Sequence, residues 1–422
     1  MADLQMKDEL SVFLETGIYK FEDSNVVFID PVRVLNRSYT RFRVSPSAYY
    51  PRFFKSQRAC QESTVSSNSR KRKRNAKEPR PLNESERVAE HRHQEAKPLL
   101  LKAHEYLLKS TELLEVLGKL SNDIGSSTQC KGLSVQGVEN SLIELGRVWQ
   151  APLYEITLTL PCHKKANDNK DSLSMQYGEQ MVLPAFNNVV ANETEDDVEA
   201  ELLNSHYILP RESCFYMSDL GKIHNLIPDE GACGFNLIVI DPPWENASAH
   251  QKSRYPTLPN RYFLSLPIKR LTHTEGALVA LWVTNRQKLR VFVEEELFPT
   301  WGVSYLATFY WLKVKADGSL IGDLDLFHHR PYESLILGYR HGKVMNSDNL
   351  STIRPVKDNC VILSIPGDYS RKPPIGGLLE EYFPGLKPGR RIELFAREMM
   401  AGWVAWGNEP LHFQDSRHFN QV

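Results

Sequence analysis

The fold of this chain is inferred first from Leu237-Ile238-Val239-Ile240-Asp241-Pro242-Pro243-Trp244, a short apolar run that is followed by a rigid turn. The run does not alternate between apolar and polar residues, as expected for a central strand that is covered on both faces. The turn would lie at the carboxyl end of this strand, where open α/β sheets bind their ligands. We therefore expect a functional site at residues 241–244.

Similar short runs, rich in β-branched and aromatic residues, recur from about residue 203 onwards. They are Cys214–Met217, Phe235–Ile240, Ala277–Val283, Tyr305–Val314, Ser334–Tyr339, Cys360–Ile365 and Arg391–Ala396. Amphipathic segments at about 286–298 and 375–383 fit crossover helices. This pattern predicts a three-layer α/β domain with a mostly parallel sheet at residues 203–422.

The first part of the chain divides by composition into a small N-terminal region at residues 1–58 and a basic, disordered linker at 59–82. The linker contains the compact run Arg70-Lys71-Arg72-Lys73-Arg74. Such a run is typical of a nuclear import signal, and a phosphate-contacting patch or a solvated linker are the alternatives. We therefore expect nuclear localisation, together with a cytoplasmic pool.

The middle of the chain is predicted to be mainly helical, over residues 83–165. Asn83 is a candidate helix cap, and leucines recur close to helical spacing at Leu101, Leu108, Leu113, Leu117 and Leu120. The polar and acidic residues that follow predict a linker or loop at 166–202.

The composition excludes several classes of protein. The chain has 422 residues and a formal net charge of -1, so an anionic partner must be met by local basic patches. The six cysteines form no CxxC pair, which argues against a zinc site and a dense disulfide framework. No apolar run approaches the ~18 residues that span a bilayer. We therefore expect an intracellular protein with no membrane partner.

Four motifs occur in the order found in one family: Asp241–Trp244, Leu281-Trp282-Val283-Thr284, Arg371-Lys372-Pro373 and Arg391-Ile392-Glu393-Leu394-Phe395-Ala396-Arg397. Over roughly residues 210–415 the chain resembles the catalytic-subunit family of messenger-RNA adenosine N(6)-methyltransferases. The resemblance implies a Rossmann-like, permuted (beta-class) methyltransferase domain, in which the catalytic strand precedes much of the cofactor site and no Gly-rich loop is needed. It also implies S-adenosylmethionine as cofactor, S-adenosylhomocysteine as product, and no metal.

The Asp-Pro-Pro-Trp turn has groups that suit methylation of an exocyclic adenine amine, whose lone pair is delocalised into the ring. The Asp241 carboxylate and the Pro242 carbonyl can each accept one N–H bond, which turns the lone pair out of the ring plane. Pro242 and Pro243 stiffen the turn, and Trp244 offers a flat face for the base. Asp241 and Pro242 would also border the cofactor. The alternative is a rigid turn with a core tryptophan.

The resemblance assigns further residues to the cofactor. Asp219, in Ser218-Asp219-Leu220, would accept a hydrogen bond from the cofactor's adenine amine, with Leu220 beside it. Lys372 would meet the methionine carboxylate. A helix cap for Asp219 and a surface cation for Lys372 are the alternatives.

The ribose assignment is less regular. Arg397 and Asn408 match family residues that hold the ribose, and Glu409 carries a carboxylate that can bridge two hydroxyls. The chain departs from the family at Met399-Met400, where relatives have a His-Asn pair, and methionine cannot make the same hydrogen bonds. Glu409 is the natural substitute. An ion pair at a strand end for Arg397 and a turn residue for Asn408 are the alternatives.

Three residues are candidates for substrate contact. Tyr255 lies in a segment that resembles the family's acceptor loop. Arg330 and Glu333 lie in a second segment that resembles a flexible substrate loop, where Arg330 suits a phosphate and Glu333 an orienting hydrogen bond. The adjacent His328 and His329 indicate a metal only weakly.

The resulting hypothesis is an adenosine methyltransferase that acts on RNA. The resemblance implies 2′-O-methyladenosine in a small nuclear RNA as substrate. DNA adenine methylation is the nearest alternative, and an inactive RNA-binding scaffold is an alternative of another class. Because the N-terminal half can supply substrate surface, we expect activity as a monomer.

Overall fold

A computed structural model describes residues 8–51, 82–122, 141–147, 150–160, 179–228, 233–245, 257–326, 330–342, 355–368, 371–383 and 389–422. The basic run at 70–74 lies outside the described residues. None of the helices within these ranges combines the length and apolarity needed to cross a membrane.

The strands of the described residues are β1 (Ile18–Lys20), β2 (Val26–Ile29), β3 (Phe42–Val44), β4 (Glu155–Thr159), β5 (Gln180–Pro184), β6 (Val189–Asn192), β7 (Val198–Leu202), β8 (Ser205–Leu209), β9 (Ser213–Met217), β10 (Leu237–Ile240), β11 (Gly276–Val283), β12 (Ser304–Lys313), β13 (Tyr332–His341), β14 (Val361–Ser364), β15 (Arg391–Leu394), β16 (Trp403–Gly407) and β17 (Phe419–Gln421).

The helices are α1 (Glu9–Thr16), α2 (Pro31–Asn36), α3 (Pro46–Tyr49), α4 (Glu84–Lys109), α5 (Thr111–Asn122), α6 (Leu142–Leu145), α7 (Ile268–Leu271), α8 (Gln287–Phe292), α9 (Phe298–Trp301) and α10 (Gly376–Leu379). Short 3-10 helices lie at Ala151–Leu153, Leu220–Leu226, Asn260–Ser265 and Ser416–His418, and a π-helical turn at Val293–Leu297 joins α8 to α9.

Eleven strands form one large sheet in the order β1-β2-β14-β12-β13-β11-β10-β15-β16-β9-β6. Six of its ten pairings are parallel, so the prediction of a mostly parallel sheet is confirmed. Strand β10 lies between β11 and β15, with the chain running to β11 on one side and returning to β15 on the other. This is the switch in strand order beside which open α/β sheets bind ligands. The later strands β15 and β16 lie between β10 and the earlier β9, as a permuted methyltransferase fold requires.

Both faces of the central strands are buried, which explains why their sequences do not alternate. Ile238 and Ile240 face one hydrophobic core, which also contains Phe263 and Trp301. Leu237 and Val239 face a second core on the opposite side of the sheet. The fold is therefore the α/β class that the sequence predicts.

Within the small N-terminal region predicted at residues 1–58, the described residues 8–51 contribute two strands to the large sheet. Strand β2, whose four residues Val26–Ile29 are all buried, pairs in parallel with β14, and β1 pairs with β2 at the edge of the large sheet. Strand β3 pairs with the C-terminal β17. The reason is the fully apolar β2, which can be buried on both faces only inside a larger sheet.

The middle region contains the expected helices, and Leu113 and Leu117 on α5 are buried, but α4 buries a different face from the one that its leucines mark. Ala96, Leu100, Ala103 and Leu107 form the buried side of α4, whereas Leu101 and Leu108 are exposed. Leucine spacing alone does not identify the buried side of a helix in which alanines pack against the core. The region also contains strand β4, so it is not helical throughout.

The prediction of a linker or loop at 166–202 is wrong for residues 180–202, which contain β5, β6 and β7, while residues 166–178 lie outside the described residues. In β7, Val198, Ala200 and Leu202 are buried while Glu199 and Glu201 are exposed. The acidic residues thus belong to the solvent face of an alternating strand, a pattern that net charge obscures. Strands β5, β4, β7 and β8 form a separate four-stranded sheet.

Candidate active site

The predicted site residues meet at one edge of the large sheet because the carboxyl ends of its parallel strands lie there. Asp219 follows β9, Asp241 follows β10, Arg397 follows β15 and Asn408 follows β16. Strand β13 runs antiparallel to β11, so Glu333, near its start, reaches the same edge.

A cleft of about 2290 Å³ opens at this edge. It is lined by twelve of the thirteen residues predicted for the site, namely Asp219, Leu220, Asp241, Pro242, Pro243, Trp244, Arg330, Glu333, Lys372, Arg397, Asn408 and Glu409. The thirteenth, Tyr255, lies outside the described residues, as do His328 and His329. Pockets for small ligands typically measure about 300–1,000 Å³. This cleft is therefore larger than one small molecule requires.

The Asp241 carboxylate lies against a cation in the cleft. The Lys372 Nζ is 3.4 Å from Asp241 Oδ1 and 3.1 Å from Glu333 Oε2. Burial raises the pKa of Asp241, and the nearby Glu333 adds to this, while the charges of Lys372 and Arg397 oppose it. Burial lowers the pKa of Lys372, but the two carboxylates outweigh this effect and raise it overall. The charges of Lys372 and Asp241 therefore each favour the ionised form of the other group.

Glu333 differs from its predicted role as a substrate-loop residue. It lies within β13 and pairs with Lys313, on β12, as well as with Lys372. Burial tends to raise the pKa of Glu333, but these two cations lower it to about 2. Strand β13 holds the Glu333 carboxylate against the ammonium groups of Lys313 and Lys372. Glu333 therefore helps to hold Lys372 beside Asp241.

Arg330 lines the cleft, and its guanidinium pairs with a carboxylate from the middle region. Its Nη2 is 2.5 Å from Glu90 Oε2 on α4, and the arginine side chain is only 6% exposed. On the same helix, Lys97 pairs with Asp325. Helix α4 therefore holds both sides of the segment that sequence analysis assigns to the substrate.

The Asp-Pro-Pro-Trp turn is fixed by backbone hydrogen bonds. The Trp244 N–H donates to the Pro242 carbonyl at 2.7 Å, and the Leu258 N–H donates to the Pro243 carbonyl at 3.0 Å. A carbonyl oxygen has two lone pairs, so that of Pro242 retains acceptor capacity.

Trp244 is largely a core residue, although it lines the cleft. The side chain is 6% exposed and its Nε1 donates to the Trp282 carbonyl at 2.8 Å. Its ring packs edge to face against Phe263. The indole therefore offers the cleft a small, rigidly held surface instead of the open flat face expected from the sequence.

The remaining residues assigned to the cofactor, Asp219, Leu220, Arg397, Asn408 and Glu409, also line the cleft. Asp219 precedes the 3-10 helix Leu220–Leu226, yet its carboxylate makes no capping hydrogen bond to that helix. The Arg397 guanidinium stacks on the Phe413 ring, 5.5 Å from its centroid. Glu409 lies 3.2 Å from His412.

The methionines at the departure from the family are packed against the fold. Met399 is 1% exposed, and its backbone N–H donates to the Gln414 side chain at 3.0 Å. This position therefore contributes to the core behind the cleft.

One wall of the cleft comes from residues that precede the predicted methyltransferase domain, and although substrate surface from the N-terminal half is expected, these residues could not be identified from the sequence. This wall comprises Asn83, Ser85, Glu86 and Ala89 from the start of α4, together with Ile143, Gly146, Arg147 and Phe186. The amphipathic pattern shows that α4 packs on something but does not identify its partner. Within the described residues, no group of three or more His, Cys, Asp or Glu is arranged to hold a metal ion.

Comparison with known proteins finds similarity in the part of the chain that contains Asp241, Glu333, Lys372 and Arg397. The MT-A70 family model matches residues 235–409, which run from Phe235, two residues before β10, to Glu409. The chain is 38% identical to mouse N(6)-adenine-specific methyltransferase METTL4 over 237 residues, which are 55% of this chain and 49% of the mouse protein. The human METTL4 is also 38% identical, over 243 residues.

Two further relatives have names that specify a nucleic acid. N6-methyladenosine RNA methyltransferase MTA1 of Pyricularia oryzae is 34% identical over 50% of this chain and 55% of its own length. A Caenorhabditis elegans DNA N6-methyl methyltransferase is 30% identical over 51% of this chain and 56% of its own length. The chain thus spans about half the length of the relatives that it matches. Residues 235–409 are therefore similar to an MT-A70 domain, and the 38% identity to METTL4 extends over about half of each chain.

Proposed function

We propose that this chain transfers a methyl group from S-adenosylmethionine to the N(6) amine of adenosine in RNA. One observation carries the proposal: the Asp241 carboxylate and the Pro242 carbonyl lie together at the switch in strand order, in a cleft that also contains a set of cofactor-type polar groups. The names of the relatives, which specify N(6)-adenine methylation, support it.

The described residues fit the cofactor. Asp219 offers an acceptor that is not used in capping, which suits an adenine amine, and Lys372 offers a cation that suits a carboxylate. Arg397, Asn408 and Glu409 line the same cavity and supply hydrogen-bonding groups for ribose hydroxyls. When bound, S-adenosylmethionine supplies a methyl group on a positively charged sulfur, and S-adenosylhomocysteine is the product.

The chain's own groups would prepare the acceptor amine. Asp241 and the free lone pair of Pro242 accept the two N–H bonds and so favour a more amine-like nitrogen. Lys372 favours the ionised form of Asp241, which accepts hydrogen bonds better than the protonated acid. The edge of Trp244 that reaches the cleft limits where the base can lie.

The finer substrate we propose is 2′-O-methyladenosine in a small nuclear RNA. The size of the cleft supports a nucleotide that has left its stack, because room remains beyond the space that the cofactor needs. Adenine in DNA is the second candidate, favoured by the name of the nematode relative. An inactive scaffold is disfavoured because the Asp-Pro-Pro-Trp turn is intact and its carboxylate is held beside Lys372.

We further propose that the chain is active as a monomer and is imported into the nucleus, with a cytoplasmic pool. The wall of the cleft that α4 and residues 143–147 supply supports the first point, because one chain provides surface on several sides of the cleft. The run at 70–74 supports the second.

The test is methyl transfer by the purified full chain from labelled S-adenosylmethionine to RNA, 2′-O-methylated RNA and single-stranded DNA of the same sequence. Mass spectrometry of the nucleosides identifies the product. Label on the N(6) amine that is lost in Asp241→Ala and retained in the surface variant Asp23→Asn supports the proposal. Cofactor binding without transfer to any of these substrates would contradict it, and the yields on the three substrates decide between the candidates.

A further inference from the structure

The guanidinium of Arg371 is enclosed by two aromatic rings that come from opposite ends of the chain. Its Cζ lies 4.0 Å from the ring centroid of Tyr49, in the N-terminal α3, and 4.1 Å from that of Phe413. The Arg371 Nε donates to Glu398 Oε2 at 2.9 Å, and the arginine side chain is 4% exposed. This is a fully packed, charge-paired guanidinium.

Two candidate cofactor groups are attached to this arrangement. Lys372 is the next residue after Arg371, so the position of Arg371 constrains the backbone from which the Lys372 side chain extends. On its other side, Phe413 contacts the guanidinium of Arg397, and the Phe413 N–H donates to the Arg397 carbonyl at 2.9 Å. Tyr49, Arg371, Phe413 and Arg397 therefore form a continuous column that we call the aromatic–arginine column.

Tyr49 contributes its ring to this column. The side chain is 1% exposed, and its hydroxyl has no hydrogen-bond partner among the described residues. A Cβ atom at Gly367 would lie 2.8 Å from the Tyr49 ring, so the backbone passes directly against it. Tyr49 therefore acts through the face of its ring, because the cation–π attraction between a ring and a guanidinium is stronger when the guanidinium is shielded from water.

We propose that Tyr49 is a positioning residue for the cofactor: through the aromatic–arginine column it sets Lys372 and Arg397, the cations assigned to the methionine carboxylate and the ribose. The inference rests on the proposed function and gives the N-terminal region a role within the site. Loss of the ring leaves one face of Arg371 open to water or to repacking, which displaces both cations. The affinity for the cofactor is then reduced, while turnover at saturating cofactor changes less.

The test compares Tyr49→Met, which keeps an apolar side chain but removes the ring, with Tyr49→Phe, which keeps the ring. Phe13→Met is the matched control, because Phe13 is buried in the same core as Tyr49 and its ring contacts Tyr19, Phe28 and Arg33. For each full-length variant, binding of S-adenosylhomocysteine is measured by calorimetry, melting by scanning calorimetry, and KM for S-adenosylmethionine and kcat by methyl transfer.

We expect Tyr49→Met to weaken S-adenosylhomocysteine binding by about tenfold and to raise KM more than it lowers kcat. Tyr49→Phe should match wild type, and Phe13→Met should lose melting temperature without losing affinity. Unchanged affinity in Tyr49→Met, or an equal loss in Phe13→Met, would overturn the proposal. If Tyr49→Met does not fold, Arg371→Lys gives the same test, because lysine keeps the charge but loses the planar stack. Absence of binding by the wild type would instead contradict the proposed function.

Discussion

The ammonium group of Lys372, which we propose binds the carboxylate of the cofactor, lies 3.4 Å from the carboxylate of Asp241, which we propose activates the amine. Glu333 Oε2 lies 3.1 Å from the same ammonium group. The three groups form a chain of alternating charge. Changing Lys372 or Glu333 therefore alters the pKa of Asp241.

The first prediction concerns the acidic limb of the pH profile. Lys372 lowers the pKa of Asp241 and Glu333 raises it. Since the ionised carboxylate is the active form, Lys372→Met should move the loss of kcat/KM to higher pH, and Glu333→Gln should move it to lower pH. The measurement is kcat/KM for the nucleic acid against pH at saturating cofactor. Shifts of the same sign in both variants would contradict this arrangement.

The second prediction separates chemistry from cofactor binding. Asp241→Asn keeps the size of the side chain but replaces an acceptor-only carboxylate with an amide, and removal of one such group typically costs about 10²–10³ in kcat. Affinity for S-adenosylhomocysteine should change by much less, since Lys372 retains Glu333 as a partner. Single-turnover methyl transfer and calorimetry provide the two readouts, with Asp23→Asn as control. A loss of affinity as large as the loss of rate would show that Asp241 serves mainly to bind the cofactor.

The third prediction concerns the pairing of Arg330 with the middle region. Glu90 lies 2.5 Å from the Arg330 guanidinium and so competes with a substrate phosphate for it. Glu90→Gln should therefore tighten RNA binding at low salt and increase the slope of log Kd against log salt by about one. Fluorescence anisotropy over a salt series measures this, with Glu84→Gln, on the same helix, as control. Weaker RNA binding by Glu90→Gln at every salt concentration would mean that the pair shapes the cleft instead of masking a phosphate site.

The fourth prediction concerns stability. Burial raises the pKa of Glu393 from its ordinary value of 4.5 to about 8, and the charge of Asp241 adds to this. The folded chain therefore retains a proton that the unfolded chain has lost, so this residue reduces stability progressively as the pH rises from 4.5 towards 8. Glu393→Gln should raise the melting temperature, and more at pH 8 than at pH 6. A gain that is equal at both pH values, or one also seen in the surface variant Glu199→Gln, would count against this.

The central strands and the Asp241 turn could be predicted because their signals are local. A strand buried on both faces is apolar throughout, as at Leu237–Ile240, and two consecutive prolines mark a turn directly. The acidic β7 was not predictable in the same way, because its alternation of Val198, Ala200 and Leu202 with glutamates is hidden by the charge count.

Residues that act through distant partners left no signal in the sequence. Glu90 and Arg330 are 240 positions apart, and nothing in either segment indicates their pairing. Likewise, the four motifs identify Lys372, but they do not show that Glu333 pairs with it. That contact depends on the position of β13, which runs antiparallel between β12 and β11. Long-range pairs of this kind can be predicted only when the order of the strands in the sheet is known.

The pairing of β2 with β14 has a practical consequence for work on the catalytic part of the molecule. A fragment that begins at residue 203, where the methyltransferase domain is expected from sequence, would lose β1 and β2 and leave the backbone of β14 paired only with β12. The apolar Val361, Ile362 and Leu363 would then form an open sheet edge, which is a template for association between chains. Such a fragment should accumulate as aggregates on expression, and co-expression with residues 1–58 should return it to the supernatant.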